Sequence, residues 1–248
     1  TSFHAQNDRQ LLNFIATRES LAVARLVAQY TRAERAHRLE VRLIQDSNGN
    51  GGARLRKEVL LDGVKTPPAQ VIGHFNAVIF LPQMTGIIED GPEERRRYLN
   101  LTISQANPPY ARALADYNQA LIQRNALLKL LNERGGDRSQ LDYWDEILAT
   151  RAALLITTRA EVIQELEGIA KRVHERLTGS TEVLRLVYQP SYDPLPTPQG
   201  QFTLPMRVQV QRTGLTQEKV KLGFITRLSE VRTEEIARGI TTIGPHRD

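Results

Sequence analysis

Apolar and polar residues change period about a third of the way along the chain. Leu39, Val41 and Leu43 alternate with Glu40 and Arg42, a period of two that predicts a half-covered strand. Leu21 to Arg32 carries a similar mixture, and Arg54 to Leu61 resumes it after Asp46-Ser47-Asn48-Gly49-Asn50-Gly51-Gly52. A loop of that composition between two such runs closes a hairpin. Val71 to Leu81 is a further apolar run ending at Pro82, read as another strand. Residues 1 to about 82 therefore predict short strands joined by tight turns, an antiparallel sheet.

From Asn107 the period lengthens. Asn107-Pro108-Pro109 opens a helix, with Asn as the cap and Pro in the first turn. Tyr110, Leu114, Tyr117, Leu121, Leu128 and Leu131 follow the spacing of a coiled-coil seam, with Arg124 in its one gap. Gly135-Gly136-Asp137 breaks the helix. A second seam runs through Trp144, Leu148, Leu155, Val162, Leu166, Ile169, Val173 and Leu177, skipping Arg151 and Thr158. Two long helices joined by a short turn predict an antiparallel hairpin. At about 1.5 Å per residue the second exceeds about 50 Å.

Residues 181 to 248 return to mixed structure. Leu184, Leu186 and Tyr188 alternate like a strand, Pro190 to Pro205 reads as a loop, and Glu218 to Arg238 predicts a helix with Val220, Phe224, Leu228 and Val231 on one side. The class is α+β in three regions: strand-rich 1–106, a helical hairpin at 107–178 and a mixed return at 179–248.

Composition narrows the chemistry. The chain has no cysteine, which excludes disulfides, thiolate catalysis and Cys-ligated metal centres. No long uncharged apolar run suggests a membrane, and a cytoplasmic protein is expected. There are 33 Lys+Arg against 28 Asp+Glu, and 27 of the 33 are arginine. Arginine suits bidentate phosphate contacts, although a GC-rich genome would give the same bias. The glycine-rich stretch Ser47–Gly52 is followed by Ala53 and Arg54 and lacks the Lys-[Ser/Thr] of a phosphate-cradling loop. The five histidines have no ligand spacing, so no metal site and no catalytic residue are assigned.

The stretch GPEERRRYLN, Gly91 to Asn100, raises a sharper question. Pro92, Glu93 and Glu94 open a helix. At about 100° per residue, Tyr98, Leu99, Leu101, Ile103 and Ala106 mark an apolar arc, while Asn100 and Ser104 mark the polar side. Arg97 falls on the polar side, Arg96 on the border and Arg95 inside the apolar arc, so the three do not form one patch. A guanidinium in the arc must be paired or snorkel outward; its partner is a carboxylate of the chain or a phosphate. Arg124 poses the same choice, with Asp145 or Glu146 on the facing helix as partners. Arg151 is a candidate for the same polar layer.

Several stretches read together resemble the RecF family of bacterial DNA replication and repair proteins: GPEERRRYLN, LIQRNALLK (Leu121–Lys129), the Trp144-Asp145-Glu146 stretch, TTIGPHRD (Thr241–Asp248) and TSFHAQNDRQLL at the start. They run in family order along the whole chain. The resemblance implies the head of an SMC-type protein: an antiparallel part of an ABC-type ATPase lobe, carrying the helical hairpin as a second lobe. It implies ATP and magnesium as cofactors of the parent protein, a weak ATPase. It also implies DNA, recombination mediator proteins and a homodimer as its partners, and recombinase loading at gaps as its role.

The chain departs from the family pattern. The P-loop would precede Thr1, and the signature and acidic magnesium-binding motifs would follow Asp248, so the chain reads as an internal piece not expected to hold nucleotide well or hydrolyse it. FLPQM, Phe80 to Met84, has Gln83 where the family usually has Glu. ABC-type ATPases place a Gln near magnesium in a comparable loop, which makes Gln83 the nucleotide-lobe candidate. Arg95, Arg96 and Arg97 are the DNA-binding candidates, and Arg124 a structural or DNA candidate. The rival readings are a non-catalytic docking or clasp module of another SMC-like protein, and an enzyme of unrelated chemistry.

Overall fold

The computed structural model describes residues 7–48, 52–78, 82–195 and 212–248. The fold is α+β and divides into two units, Thr1–Val78 and Ile79–Asp248.

In the first unit β1 (Leu21–Arg32), β2 (Arg35–Asn48), β3 (Gly52–Leu61) and β4 (Val64–Lys65) form an antiparallel meander in sequence order. The β1–β2 register closes at Arg32 opposite Arg35, leaving a two-residue turn in which Ala33 and Glu34 have φ of 46° and 62°. Left-handed backbone at both turn positions matches the twist of the flanking strands. Asp62-Gly63 repeats the device between β3 and β4 (φ 51° and 85°), and Asp62 accepts from the Arg38 amide (2.7 Å) and contacts His37 Nδ1 (2.8 Å). Asn48 faces Gly52, so the glycine-rich stretch spans a hairpin whose tip, 49–51, lies outside the described residues. Ala22, Leu43, Ile44 and Val59 are buried.

The run from Val71 is not a strand where it is described. Pro67-Pro68 starts a helical turn, α1 (Pro68–Val71), and Gly73 at φ 86° follows the turn in a left-handed conformation. The remaining part of that expectation, 79–81, lies outside the described residues.

The second unit is helical: α2 (Gly86–Glu89), α3 (Pro92–Ala106), α4 (Pro108–Arg134), α5 (Gln140–Thr178) and α6 (Gln217–Arg238). Asn107 caps α4 through its side chain, which accepts from the Tyr110 amide at 3.1 Å. Gly135 (φ 67°) follows α4, and Asp137 orders the turn by accepting from the amide and hydroxyl of Ser139. The 39 residues of α5 extend about 58 Å. Along the length of α4 the two helices pack as the seams require, Tyr110, Tyr117, Leu128, Leu148 and Leu155 each being at most 1% exposed. The end of the second seam does not, Ile169, Val173 and Leu177 being 48%, 44% and 80% exposed, because α5 with 39 residues outruns α4 with 27. Alanines 149, 152 and 153 are buried too, and their small side chains let helices approach closely.

The hairpin is not a pair standing alone. Helix α6 packs on both α5 and α4, with Val220, Phe224 and Leu228 fully buried, and Thr216 caps it by accepting from the Lys219 amide. On α3 the expected arc is partly turned round. Leu101 is 58% exposed while Ser104 is buried, because a polar cluster deeper in the bundle recruits the side of α3 that bears Asn100. Residues 183–188 alternate outward and inward as expected, Tyr188 being buried, but the described segment is extended without a ladder. Much of the Pro-rich loop, from 196 to 205, lies outside the described residues.

Candidate functional site

Helix α3 starts at Gly91-Pro92 with no side-chain cap and with Glu93 and Glu94 in its first turn, where acidic groups complement the helix dipole. Its three arginines diverge. Arg95 is exposed and donates to two main-chain carbonyls just upstream, Asp90 (2.9 Å) and Ile87 (3.3 Å). Through these two bonds it fastens the end of α2 to α3. Arg97 is exposed and loosely paired with Glu94 at 3.6 Å. Arg96 is half-buried, donates to the Asp248 main-chain carbonyl, and has no ion pair among the described residues.

The segment that receives Arg96 is Thr241–Asp248, which threads between the helices after Gly239. Two fully buried arginines hold it. Arg124, at 0% exposure, meets Asp145 (2.6 Å) and Glu235 (2.7 Å) and donates to the Thr241 hydroxyl (2.7 Å). Its neighbour Asn125 accepts from both the amide and the hydroxyl of Thr241 (2.8 and 2.7 Å). Arg232 supports Asp145 from the other side at 2.8 Å. Fully buried between both carboxylates, Arg124 joins α4, α5 and α6 to the segment. Arg151 stands apart from this layer, pairing with Asp116 near the surface.

Arg159 on α5 is the second buried cation. It donates to Asp248 Oδ2 (2.7 Å), the Pro245 carbonyl (2.8 Å), Asn100 Oδ1 (2.9 Å) and the Tyr110 hydroxyl (3.0 Å). Burial works against its charge, but the oxygens of Tyr110, Tyr188 and Asp248 outweigh that and hold its pKa above the ordinary value. Burial raises the pKa of Tyr110, Tyr117 and Tyr188, so all three stay neutral donors. Tyr188 donates to Asp248 Oδ2 (2.5 Å), and the Ser191 amide donates to Oδ1 (2.9 Å).

His246 sits within this cluster. Its Nε2 faces the Thr241 carbonyl (3.2 Å), which can only accept, so Nε2 carries the proton and Nδ1 accepts from the Tyr117 hydroxyl at 2.7 Å. Burial, with Arg247 and Arg96 nearby, lowers its pKa to about 4 against the pull of the Thr241 carbonyl. Gly244 has φ 120°, and a Cβ there would stand 2.5 Å from the Tyr117 hydroxyl and 3.0 Å from Phe224. Only glycine fits this turn without displacing its neighbours.

The sequence patterns found far apart thus meet in one place: Arg96, Arg124, Asn125, Asp145 and the Thr241–Asp248 segment form one connected polar cluster. Of its central members, Arg159 goes unnoticed in the pattern of residues, which marks Asn100 only as the polar side of α3. The signal for Arg159 was present: it lies four residues after Leu155 and three after Ile156, on the buried side of α5. The side chain of Gln83 lies outside the described residues; its backbone forms the single turn Pro82–Thr85. No group of three or more metal-ligating side chains occurs among the described residues, and no described helix is long and apolar enough to cross a membrane.

Relatives share this chain from end to end. The protein from Chloroflexus aggregans called DNA replication and repair protein RecF is 33% identical over 252 residues, matching 98% of this chain and 59% of its own length. A protein of the same name from Acetivibrio thermocellus is 36% identical over 180 residues, 72% of this chain and 44% of its own. The chain belongs with the RecF proteins. A solved structure described as the recombination mediator protein RecF-ATPrS in the RecFOR pathway matches all of this chain and 58% of that one, at 25% identity and a TM-score of 0.74. A RecF-ATP structure of the same pathway matches at 24% identity and a TM-score of 0.71. No family model matches. The chain spans about three fifths of the length of the RecF relatives it matches over nearly its whole length.

Proposed function

We propose that this chain is the part of a RecF-type recombination protein that joins a sheet of the ATPase lobe to its helical lobe, and that α3 meets the DNA backbone. The whole protein binds ATP with magnesium, dimerises on DNA in the cytoplasm, and helps mediator partners load recombinase at gaps. Two RecF structures that match this fold are described as RecF-ATP and RecF-ATPrS, which supports ATP for the parent. These 248 residues contain no P-loop sequence, so ATP hydrolysis is not assigned to them; Gln83 is kept as the candidate that approaches nucleotide. Residues 1–106, 107–178 and 179–248 remain the proposed functional division.

The observation that supports the DNA contact is Arg96, a half-buried guanidinium on α3 with no side-chain carboxylate partner among the described residues, next to exposed Arg97. Such groups neutralise phosphates without reading bases. Fluorescence anisotropy with a short duplex across a salt series tests it. Arg96→Ala/Arg97→Ala should flatten the log–log salt slope by about 0.9 for each phosphate that the variant no longer neutralises. Arg95 is left in place because it fastens α2 to α3. An unchanged slope in a folded variant removes α3 from the interface.

A further inference from the structure

A hollow of about 390 Å³ opens between α3, α4 and the Pro245-His246 turn, lined among others by Arg96, Arg97, Asn100, Asn118 and His246. Its lining differs from that of the adjoining hollow on the far side of Arg96, where Leu99, Ile163, Leu166, Leu186 and Tyr188 give an apolar floor. The charges of the polar hollow do not cancel. Arg159 reaches it but is committed to Asp248. Arg96 commits one donor to the main-chain oxygen of Asp248, and Arg97 is held only loosely by Glu94. Glu93 is the one carboxylate in the lining, against these two guanidinium groups.

The neutral groups are also turned towards an acceptor. Asn100 Oδ1 accepts from Tyr110 and Arg159 (2.7 and 2.9 Å). Arg159 can only donate, so the oxygen is fixed inward and the Asn100 NH2 remains as the free face of that amide. Asn118 is exposed on the α4 side. The His246 ring has both nitrogens occupied within the protein, so it shapes the wall without adding charge. Two guanidinium groups and two amides around an open hollow suit an anion with several acceptor oxygens.

We propose that this hollow is a phosphate subsite, seating one phosphodiester of a DNA backbone on Arg96 and Arg97, with the Asn100 and Asn118 amides as further donors. The DNA source rests on the reading above; the phosphate chemistry does not. Open access suits a phosphate presented on a long backbone. Free phosphate and the phosphates of a nucleotide have the same chemistry, and the test separates them.

The His246 imidazole, in the wall, serves as reporter. Its NMR resonances are followed in the full chain at constant ionic strength during titration with inorganic phosphate, with ATP and with a short DNA duplex. Saturable shifts with phosphate and with duplex are expected. Asn118→Asp puts a negative charge in the hollow and should weaken phosphate binding about tenfold. Gln119→Glu adds the same charge to the exposed surface of α4 outside the lining and should leave it within about twofold. No shift with phosphate, or equal binding by the Asn118→Asp variant, overturns the subsite. Shifts with phosphate and ATP but not with a bound duplex overturn the DNA source. A duplex that binds while His246 never moves overturns the subsite and leaves the DNA reading standing. If no duplex binds, the DNA reading fails and the phosphate titration alone decides the hollow.

Discussion

The two units handle arginine in opposite ways. In the sheet a buried anion lies beneath exposed cations: the Glu40 side chain is 6% exposed, while Arg25, Arg38 and Arg42 around it are 37–51% exposed. In the helical unit the cations are inside, with Arg124 and Arg159 at most 1% exposed and ringed by carboxylates, hydroxyls and carbonyls. An arginine at the rim can swing into water when its partner is removed. One inside the bundle cannot, and its partners are stranded with it. The same residue type is therefore replaceable in one unit and structural in the other.

Breaking a buried pair should have the largest effect. Arg124→Met strands Glu235 and Arg159→Met strands the Asp248 side chain without its counter-charge, and each should cost about 3–5 kcal/mol in urea unfolding of the helical unit. Arg25→Met in the sheet should change little, because Arg42 and Arg38 still reach Glu40. A similar loss in both units would erase the contrast.

Acid should act next. His246 is neutral when folded, with a pKa of about 4 against an ordinary value of 6.5. Between those values the unfolded chain binds the extra proton, so stability falls as pH drops from about 6.5 to 4 and then levels off. The loss should reach about 3 kcal/mol. His246→Gln, which cannot take up the proton, should remove that slope; a slope that persists assigns it to another group.

Gly244→Ala should cost about 1–3 kcal/mol through backbone strain alone, before its clash with Tyr117 is relieved, and a melting curve of the helical unit checks it. The smallest effect belongs to Glu40. Hydrogen bonds from Arg25 and Arg42 lower its pKa from 4.5 to about 2 against the effect of burial. Its contribution is complete above about 4.5 and fades as pH falls towards 2. Glu40→Gln should remove that acid-side component from the unfolding of the sheet and leave the helical unit untouched.

Much of the helical unit was legible because one periodicity served both local structure and packing. The seams through Tyr110, Tyr117 and Leu128 and through Leu148 and Leu155 mark sides that are buried, and the side of the α6 helix bearing Phe224 and Leu228 was equally plain. The polar core was less legible. A seam rule treats a charged residue as a gap or a surface, so Arg159 draws no reading and Asn100 marks only the polar side of α3. Arg159 meets Pro245 and Asp248, 86 and 89 residues on, and Asn100 meets Arg159, 59 residues on; no local pattern reports such partners. The run after Val71 misled for a local reason: Pro68 and Gly73 punctuate it more strongly than its apolar content suggests.

Complete burial of the two arginines makes them clocks as well as ties. A guanidinium proton shielded from water exchanges only when the structure around it opens. The Nε–H signals of Arg124 and Arg159 should therefore outlast those of surface arginines at neutral pH. Those Nε–H groups are held by Asp145 and by the Tyr110 hydroxyl, so their separate lifetimes would time the opening of the α4–α5 packing at two points along it.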